Sequence, residues 1–394
     1  MQQFCHLYWQ HPVVVSLEIT EMKDLEFPAV TICNLNRQMK NQDSDYSHGG
    51  NTGTPLLISE RKQLYSCQNG TIKNAKGNEK KLDILMKYYE MNETERRSFG
   101  MNTSMFMKNC SFNGKYCTDS RLSYFTDFRF GNCITFNKQK LGIKPLRTSE
   151  TGFGSGLKFD SHADQGHYQA IQHTVGFKLI IHNPMEIPSP EEDGVFINPG
   201  FEVFVSLKQI VNIRLPAPFK DDCMNYASES NGFKNKKECI RKCIQSKSYE
   251  KCGCIDQSLG VMNHLKQCDF RNVSESCCLD EVLDNMTLHG NICNCPLPCF
   301  SVSYNEKLSE ALLVSRESGG FRDFMRPFIK NNYVKLNVFY SSLERRIYQQ
   351  HPKFEESEFL SYIGNELSLW LGMSLMIVCE IFERLMLLLK SIIR

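Results

Sequence analysis

Residues 360–394 read LSYIGNELSLWLGMSLMIVCEIFERLMLLLKSIIR, and this stretch decides how the rest of the chain is interpreted. Between positions 367 and 379 it is apolar apart from Ser368 and Ser374. A helix over residues 367–389 would rise about 35 Å, which is enough to cross the hydrocarbon core of a bilayer. A buried core helix of a soluble protein is the alternative, but few soluble domains can cover so long an apolar helix. The sequence therefore predicts a transmembrane helix near the C-terminus.

Small and charged residues inside this predicted span indicate more than an anchor. Ionisable groups are costly in a membrane and usually face a water-filled path, as Glu380 would here. Gly372 and Ser374 leave room for close helix packing or expose backbone to a pore. Helix packing, and an ion pair of Glu380 with Arg384 at i+4, are the simpler alternatives. Together the small and acidic positions favour a pore-lining helix.

Cysteine is the strongest compositional signal, with 18 residues in a chain of 394. The net charge is only +2 and indicates no particular class of partner. Cys5 and Cys379 lie close to or inside predicted membrane segments, and the others lie between Cys33 and Cys299 in an even number that suits disulfides. The same region carries N-glycosylation sequons at Asn69, Asn92, Asn102, Asn109, Asn272 and Asn285. Both features indicate an oxidising, extracellular compartment. No basic run interleaved with aromatic residues is present, so nucleic-acid binding is not expected.

The cysteines of the second half are dense enough to predict local bridges. Cys239 and Cys243 are four residues apart, so they share one face of a helix and can bond to a single facing segment. The proline-held strip 293–299, CNCPLPC, offers thiols for that purpose. Zinc binding is the rival explanation for closely spaced cysteines. It is disfavoured because the neighbouring sequons place this region outside the cell.

The ends of the chain set the predicted topology. Basic residues follow the apolar segment, up to Arg394, and indicate a cytoplasmic C-terminus. Residues 1–19 have no basic region followed by a long apolar run, so they do not resemble a signal peptide. We interpret Tyr8 and Trp9 as the outer end of an earlier span, most of which would precede the chain. A tail-anchored cytosolic protein is the alternative.

Apolar runs and apolar–polar alternation predict strands at 26–33, 176–182, 201–207 and 334–340. Because these segments are far apart in sequence, we expect one sheet assembled from distant parts of the chain. An apolar stripe predicts an amphipathic helix over 80–97, and a polar, glycine-rich composition predicts a loop over 37–60.

Several separated motifs resemble the epithelial sodium channel/degenerin family, in the order that the family has them. The matching segments are 27–36 (FPAVTICNLN), 130–137 (FGNCITFN), 199–201 (PGF), 214–216 (RLP), 293–299 (CNCPLPC), 363–364 (IG) and 369–374 (LWLGMS). The resemblance covers nearly the whole chain, and its layout is closest to acid-sensing or FMRFamide peptide-gated channels. The FGNCITFN and CNCPLPC segments are specific, whereas Gly-x-Ser alone would be weak.

The resemblance implies an α+β membrane protein of the plasma membrane, multi-pass in its complete form. Each subunit would have a disulfide-rich ectodomain with a β palm and a helical finger and thumb. The implied organisation is the outer end of a first transmembrane helix at 1–12, an extracellular domain at 13–358, a second transmembrane or pore helix at 359–389, and a cytoplasmic stub at 390–394. The finger would occupy roughly 38–130 and the thumb roughly 222–300, with palm strands between.

The resemblance also implies a set of disulfide pairs. These are Cys33–Cys133, Cys110–Cys117, Cys223–Cys299, Cys239–Cys295, Cys243–Cys293, Cys252–Cys277 (or Cys278) and Cys254–Cys268. Cys67 and the spare member of the Cys277/Cys278 pair are left over and would bond to each other.

The implied function is voltage-independent, sodium-selective conduction that amiloride blocks, with Na⁺ as permeant ion and no cofactor. Gly372, Met373 and Ser374 would form the selectivity filter. Other pore residues would be Glu366 at the mouth, Glu380 in the inner half, and Ser361, the small residue whose enlargement holds family channels open. Phe219 matches an aromatic residue that couples the ectodomain to the first span, with Tyr8 or Trp9 as its expected partner.

The gating stimulus is left open between a peptide and protons. Asp280 and Asp284, on a predicted thumb helix, fall where acid-sensing members carry pocket carboxylates, although acidic helix faces are usually just solvated. The partners would be family subunits in a homo- or hetero-trimer and the lipid bilayer. A non-conducting modulatory subunit and a single-pass, cysteine-rich binding ectodomain are the alternatives. No arrangement of catalytic residues predicts an enzyme.

Overall fold

The protein is described here by a computed structural model, which covers residues 2–35, 67–68, 71–72, 86–102, 106–163, 175–226, 234–260, 264–288, 293–313, 332–372 and 375–392. Several predicted features lie outside these ranges: the loop over 37–60, the sequon at Asn69 and the filter residues Met373 and Ser374. For Cys67 the structure describes the backbone but not the side chain.

Within the described ranges, residues 86–90 are helical, and six further α-helices of seven residues or more are present. They are α1 (Gln2–Trp9), α2 (Glu93–Phe99), α3 (Lys236–Cys252), α4 (Val273–Leu288), α5 (Glu356–Leu371) and α6 (Leu375–Ile392), with 3₁₀ turns at Asp119–Arg121 and Gln257–Leu259.

The strands occupy most of the remainder. They are β1 (Val13–Glu21), β2 (Leu25–Glu26), β3 (Ala29–Asn34), β4 (Cys67–Gln68), β5 (Thr71–Ile72), β6 (Lys108–Phe112), β7 (Lys115–Tyr116), β8 (Leu122–Asp127), β9 (Gly131–Phe136), β10 (Arg147–Thr148), β11 (Leu157–His162), β12 (Phe177–His182), β13 (Val195–Ile197), β14 (Phe201–Ile213), β15 (Phe300–Leu312) and β16 (Tyr333–Pro352). The predicted strands are therefore confirmed, and β14 and β16 run further than the sequence patterns indicated.

The prediction of a single sheet is wrong, because the distant strands form two larger sheets. One has seven strands in the order β15-β14-β16-β11-β6-β7, with β1 also paired to β16. The other has five strands in the order β13-β12-β3-β9-β8. The central strands β3, β9 and β12 are buried at every residue, whereas β14 is buried at alternate residues from Val203 to Val211. Because these three strands are buried at every residue, other elements cover the middle of this sheet on both faces.

One apolar core joins the two sheets. Val30 and Phe136 from the five-stranded sheet share a buried cluster with Val205, Leu336 and Val338 from the seven-stranded sheet. Burial of such side chains contributes roughly 1.5–3 kcal/mol each. The described part of the chain is thus an α+β domain whose β layers are held by a common core.

The predicted amphipathic helix over 80–97 is interrupted. Residues 86–90 are helical, and a separate helix, α2, begins at the N-cap Asn92, whose side chain accepts a hydrogen bond from the Glu95 backbone N–H at 2.9 Å. The Glu95 carboxylate accepts from the Asn92 N–H in return, completing a capping box. The apolar positions of the predicted stripe end at Tyr89, and the capping box at Asn92 starts a separate, polar helix.

The C-terminal apolar stretch is also not one helix. α5 ends at Leu371, Gly372 adopts a left-handed conformation with φ +60°, and α6 begins at Leu375. Glycine has no Cβ and adopts this conformation at little cost, which explains why the helix stops there. Among the described residues, no helix has the combined length and hydropathy that crossing a membrane requires.

A buried histidine lies in the five-stranded sheet. The Nε2 atom of His182 lies 2.9 Å from the Thr31 hydroxyl, which in turn lies 2.7 Å from the Thr135 hydroxyl. The Nδ1 atom lies 3.0 Å from the Asn183 carbonyl oxygen. This arrangement suits the neutral imidazole, and burial lowers the pKa of His182 from 6.5 to about 4.

We predict that His182 makes the fold less stable in acid. Because its pKa is lower in the folded state, only the unfolded chain takes up this proton between pH 6.5 and about 4. The stabilisation is therefore present above pH 6.5 and is lost as the pH falls, with a slope of about 1.4 kcal/mol per pH unit. Denaturant unfolding of the disulfide-intact protein at a series of pH values measures the slope.

The comparison variant is His182→Gln, which keeps hydrogen-bonding capacity but does not titrate in this range. We expect its free energy of unfolding to depend less on pH than that of the wild type. His264→Gln, at an exposed histidine, is the control and should keep the wild-type slope. Equal slopes for wild type and His182→Gln would contradict the prediction.

Candidate functional site

The two ends of the chain meet at one end of the seven-stranded sheet. β1 pairs antiparallel with β16, from Val13 opposite Pro352 to Glu21 opposite Glu344. The Lys353 backbone N–H extends this pairing by donating to the Pro12 carbonyl at 2.8 Å. Since α1 precedes β1 and α5 follows β16, the ladder brings both terminal helices to the same place.

Aromatic side chains fasten α1 to α5. The ring centroids of Phe4 and Tyr362 are 3.8 Å apart, and those of Tyr8 and Phe359 are 4.1 Å apart, both in stacked geometry. Phe4 also meets Phe354 edge-on at 5.2 Å. Phe4 and Tyr8 are four residues apart and so lie on one face of α1. The paired residues occur in opposite order along the two helices, so α1 and α5 run antiparallel.

The predicted pore residues lie on either side of the break at Gly372. Ser361 and Glu366 are on α5, with Ser361 exposed and Glu366 half-buried, and Glu380 is exposed on α6. A Cβ added at Gly372 would meet no atom within 4 Å, so backbone conformation rather than space favours glycine there. The sequence predicted a place for this glycine in the selectivity filter but did not predict that it ends a helix.

The loop that carries Phe219 is fixed to the end of β16. The Gln350 side chain accepts from the Leu215 N–H at 3.0 Å and donates to an Asp221 carboxylate oxygen at 2.5 Å. Arg214 donates to the Pro298 carbonyl at 3.0 Å. The disulfide Cys223–Cys299 closes the far end of the loop. Loop 214–223 is therefore held by side-chain hydrogen bonds and by a covalent bridge.

The prediction that Phe219 contacts Tyr8 or Trp9 is wrong. Phe219 meets His11, with ring centroids 5.8 Å apart and an interplanar angle of 74°, whereas Tyr8 stacks on Phe359 and Trp9 is 66% exposed. His11 has φ +47° and donates its N–H to the Tyr8 carbonyl at 3.0 Å. Because α1 ends in this turn, the residue after the helix faces the loop. No sequence pattern marked His11.

The predicted acidic residues Asp280 and Asp284 line a cavity of about 950 Å³ on α4. Asp280 is only 8% exposed, and Arg271 and Glu281 line the same cavity. Glu281 pairs with Lys251 on α3 at 2.6 Å. The cavity therefore combines acidic groups of α4 with a guanidinium at its rim.

A second acidic group was missed by sequence reasoning because its members come from two distant segments, the connection between β12 and β13 and strand β15. Asp193, between β12 and β13, forms an ion pair with Lys237 on α3. Burial, and then Asp193, raise the pKa of Glu186 while Lys237 opposes the shift. Burial and Asp193 also raise the pKa of Glu306 on β15 to about 7. These carboxyl groups lie where the sheets meet α3, and Glu306 changes charge near neutral pH.

The disulfides of the structure match the pairs that the resemblance implied. They are Cys33–Cys133, Cys110–Cys117, Cys223–Cys299, Cys239–Cys295, Cys243–Cys293, Cys252–Cys278 and Cys254–Cys268. The choice left open at Cys252 falls on Cys278. Cys277 is also disulfide-bonded, and the side chain of Cys67, its expected partner, lies outside the described part of the chain.

These bonds decide against the zinc interpretation of the cysteine pairs. Cys254, Cys268 and Glu275 place possible ligand atoms within 4.8 Å of one another. The Cys254 and Cys268 sulfurs are bonded to each other, however, and neither is a thiolate. Cys293 and Cys295 are likewise oxidised.

The described sequons are mostly on the surface. Asn92, Asn102, Asn109 and Asn272 are exposed, and Asn285 is half-buried on α4. The side-chain amide of Asn109 donates to Asp160 at 2.8 Å. Surface position is what N-glycosylation requires, so these asparagines remain predicted glycan sites.

Comparison with known proteins gives a match to one family model and matches to individual channel proteins. A family model described as Amiloride-sensitive sodium channel matches residues 1–383. Acid-sensing ion channel 1C of Danio rerio is 27% identical over 98% of this chain and 75% of its own length. The bile acid-sensitive ion channel of Homo sapiens is 25% identical over 96% of the chain and 75% of its own length. Degenerin mec-10 of Caenorhabditis elegans is 26% identical over 82% of the chain and 46% of its own length.

We predict that Asn92 carries a glycan in addition to capping α2. Asn92→Asp removes the sequon but keeps an oxygen acceptor for the cap, so it should lose one glycan and keep its stability. Asn92→Ala should lose the same glycan and about 1 kcal/mol of stability. Electrophoretic mobility before and after N-glycosidase treatment, with thermal unfolding midpoints, measures both effects. An Asn92→Asp protein with wild-type mobility would contradict glycosylation at this residue.

Proposed function

The chain belongs to the amiloride-sensitive sodium channel family, whose members are ion channels and not enzymes, and we propose that it is a subunit of a trimeric, sodium-selective channel of the plasma membrane. In this proposal the channel is voltage-independent, is blocked by amiloride and opens in response to a ligand. Its trimer contains copies of this chain or of related subunits. The permeant Na⁺ is the only small species that conduction requires.

The break at Gly372 is the observation that carries this proposal. Two helices meet at the position where the sequence reads Gly-Met-Ser, and Gly372 itself departs from helical geometry. Interrupted helices are tolerated in a membrane where their free backbone groups line a water-filled cavity. The break therefore supports a pore in which backbone carbonyl groups contact the ion.

The proposed organisation follows the order of elements along the chain. Residues 359–389 form the second transmembrane segment, and 1–12 form the outer end of the first. Residues 13–358 lie outside the cell, in agreement with their disulfides, and 390–394 lie in the cytoplasm. The antiparallel contact of α1 with α5 supports this arrangement, because both helices would enter the membrane from the same end of the sheet.

The chemistry of the pore would come from three copies of each residue. Carbonyl groups of Gly372, Met373 and Ser374 around a threefold axis replace part of the hydration shell of Na⁺. Glu380, below the break, raises the local cation concentration in the inner half of the pore. Glu366, five residues before Leu371 on α5, adds carboxylates at the outer mouth. These positions are the proposed conducting path.

The proposed stimulus acts on the extracellular domain. The relatives include channels named for acid and for bile acid, and either class of ligand would meet ionisable groups here. The cavity on α4 that Asp280 and Asp284 line is one candidate binding site, for protons or for a cationic peptide. Phe219 and the helix end beside it would transmit the resulting movement to α1.

The complete protein expressed in Xenopus oocytes, alone and with an acid-sensing relative, tests the proposal. Exposure to acid, bile acids and amidated peptides should evoke an inward current that disappears when Na⁺ is replaced by a large organic cation and that amiloride blocks. Surface-expressed protein that carries no current alone but changes the current of the relative would indicate a modulatory subunit. Surface protein without either effect would contradict the channel proposal and favour a binding ectodomain.

We predict that Ser361→Phe produces a constitutive current. Ser361 is exposed on α5, ten residues before Leu371, and a bulky ring there would hinder the closed packing of helices from neighbouring subunits. The resting amiloride-sensitive current should rise severalfold or more at equal surface expression, measured by two-electrode recording with surface labelling.

Ser361→Ala is the matched control, because it removes the hydroxyl without adding bulk. Its resting current should stay at the wild-type level. If Ser361→Phe also leaves the resting current unchanged while the protein is at the surface, Ser361 does not lie at the closed constriction.

A further inference from the structure

The cavity on α4 runs along one face of the helix. Its lining includes residues spaced by four, three and four positions, which is the repeat of a single helical face: Val273, Cys277, Asp280 and Asp284. The interval from Val273 to Asp284 corresponds to about 16 Å of helix. An extended peptide of about five residues has this length, so the cavity has room for a short peptide as well as for a small ligand.

The floor of the cavity differs from its rim. Asp280, with only 8% of its surface exposed, belongs to the floor. Cys278 beside it is half-buried and bonded to α3, so the floor is covalently fixed. Asn272, Ser274 and Asp284 are exposed and form the rim. A ligand must therefore pass these rim groups to reach the buried carboxyl group.

Asn272 on this rim is a predicted glycan acceptor whose surroundings suit modification. All three residues of its sequon, Asn272-Val273-Ser274, are exposed. The Asn272 side-chain oxygen accepts a hydrogen bond from the Ser274 backbone N–H at 3.1 Å, and its carbonyl accepts from the Ser276 N–H at 3.0 Å. Both bonds cap α4 through oxygen atoms. The amide nitrogen, to which a glycan is attached, donates no hydrogen bond to any residue that the structure describes.

The other sequon of α4 offers a contrast on the same helix. Asn285, which is followed by Met286 and Thr287, is half-buried. It is not among the residues that line the cavity. Removal of this sequon therefore serves as a control for removal of the one at Asn272.

We propose that an N-glycan on Asn272 covers the mouth of the α4 cavity, so that small ions and small molecules reach Asp280 whereas peptides and proteins do not. An N-glycan is bulky and solvated, and its attachment to the rim places its base beside the entrance. A flexible glycan excludes large molecules from the surface around its attachment point but leaves gaps that small solutes pass. The cover thus selects ligands by size.

This placement decides between the two ligand classes considered for the cavity, a conclusion that rests on the proposed channel function. Its acidic side chains would attract a cationic peptide, and its length would accommodate one. The glycan opposes the entry of a peptide at the rim. The glycosylated cavity is therefore a site for a small ligand, and peptide access is a property of the unglycosylated chain.

Glycan occupancy and access to the cavity are measured in the complete protein, produced in mammalian cells and purified in lipid nanodiscs. Peptide mass spectrometry gives the occupancy of Asn272. Glu281→Cys places a thiol on the cavity lining, about 14 Å along α4 from the glycan. The reaction rate of this thiol is compared between a small methanethiosulfonate and a maleimide that carries a long polyethylene glycol chain.

Two substitutions at Ser274 separate the effect of the glycan from that of the side chain. Ser274→Ala removes the sequon but keeps the Asn272 cap, so the polymer reagent should react severalfold faster and the small reagent at an unchanged rate. Ser274→Thr keeps the sequon and should retain the slow reaction with the polymer. Thr287→Ala, which removes the sequon at Asn285, should change neither rate.

Asp284→Cys repeats the labelling at a second position of the lining, and disulfide mapping checks that the native bridges are intact in both thiol variants. An unmodified Asn272 would overturn the proposal. Equal rates for the polymer reagent with and without Ser274→Ala, at both thiol positions, would overturn it as well.

Recordings from oocytes test the ligand class. An amidated cationic peptide should evoke a current through this cavity in Ser274→Ala but not in Ser274→Thr, and Asp284→Asn should abolish that current. A peptide current in the wild type that Asp284→Asn abolishes would show that the glycan does not select the ligand. The same conclusion follows if a small ligand opens the channel but the peptide opens neither Ser274 variant.

The two kinds of measurement separate this inference from the channel proposal. If no stimulus gives a current in any variant, the channel proposal fails and the choice of ligand for gating fails with it. Mass spectrometry and the labelling rates then still decide whether a glycan on Asn272 covers the cavity.

Discussion

The pairing of β1 with β16 is the interaction on which the rest of the structure depends. It joins segments more than 320 positions apart in sequence, in an unbroken antiparallel register from Val13–Pro352 to Glu21–Glu344. Both terminal helices leave the sheet from this ladder, so their contact follows from the strand register. Gln350, inside the same ladder, also anchors the loop that carries Phe219. The terminal helices α1 and α5 and loop 214–223 thus all take their positions from this ladder, and a slip by one residue would reverse every side chain involved.

The helical region formed by α3 and α4 is stabilised by a different means. α3 has the sequence KKECIRKCIQSKSYEKC and buries few residues, so it has little apolar surface with which to pack. Cys239 and Cys243 bond it instead to Cys295 and Cys293, and Cys252 bonds it to Cys278 on α4. Such bridges contribute a few kcal/mol each, mainly by restricting the unfolded chain. Covalent bonds hold α3 to its neighbours, whereas the two sheets are held together by a common apolar core.

Two helices end beside a residue with left-handed backbone. Gly372 separates α5 from α6, and His11 follows α1 in the turn into β1. Glycine adopts this conformation at little cost, whereas it is uncommon for a residue with a side chain such as histidine.

The sequence by itself determined the elements whose signals are local. Apolar alternation located β14 and β16, the four-residue spacing placed Cys239 and Cys243 on one helical face, and the motifs FGNCITFN and CNCPLPC indicated the family and its disulfides. Only the tertiary structure decided which strands share a sheet, because burial on both faces depends on neighbours that are distant in the chain. The same holds for the contact of His11 with Phe219 and for the carboxyl groups of Asp193 and Glu306, which the fold brings together from separate segments. The break at Gly372 also needed the structure, since apolar periodicity continues across it and only the backbone angle ends the helix.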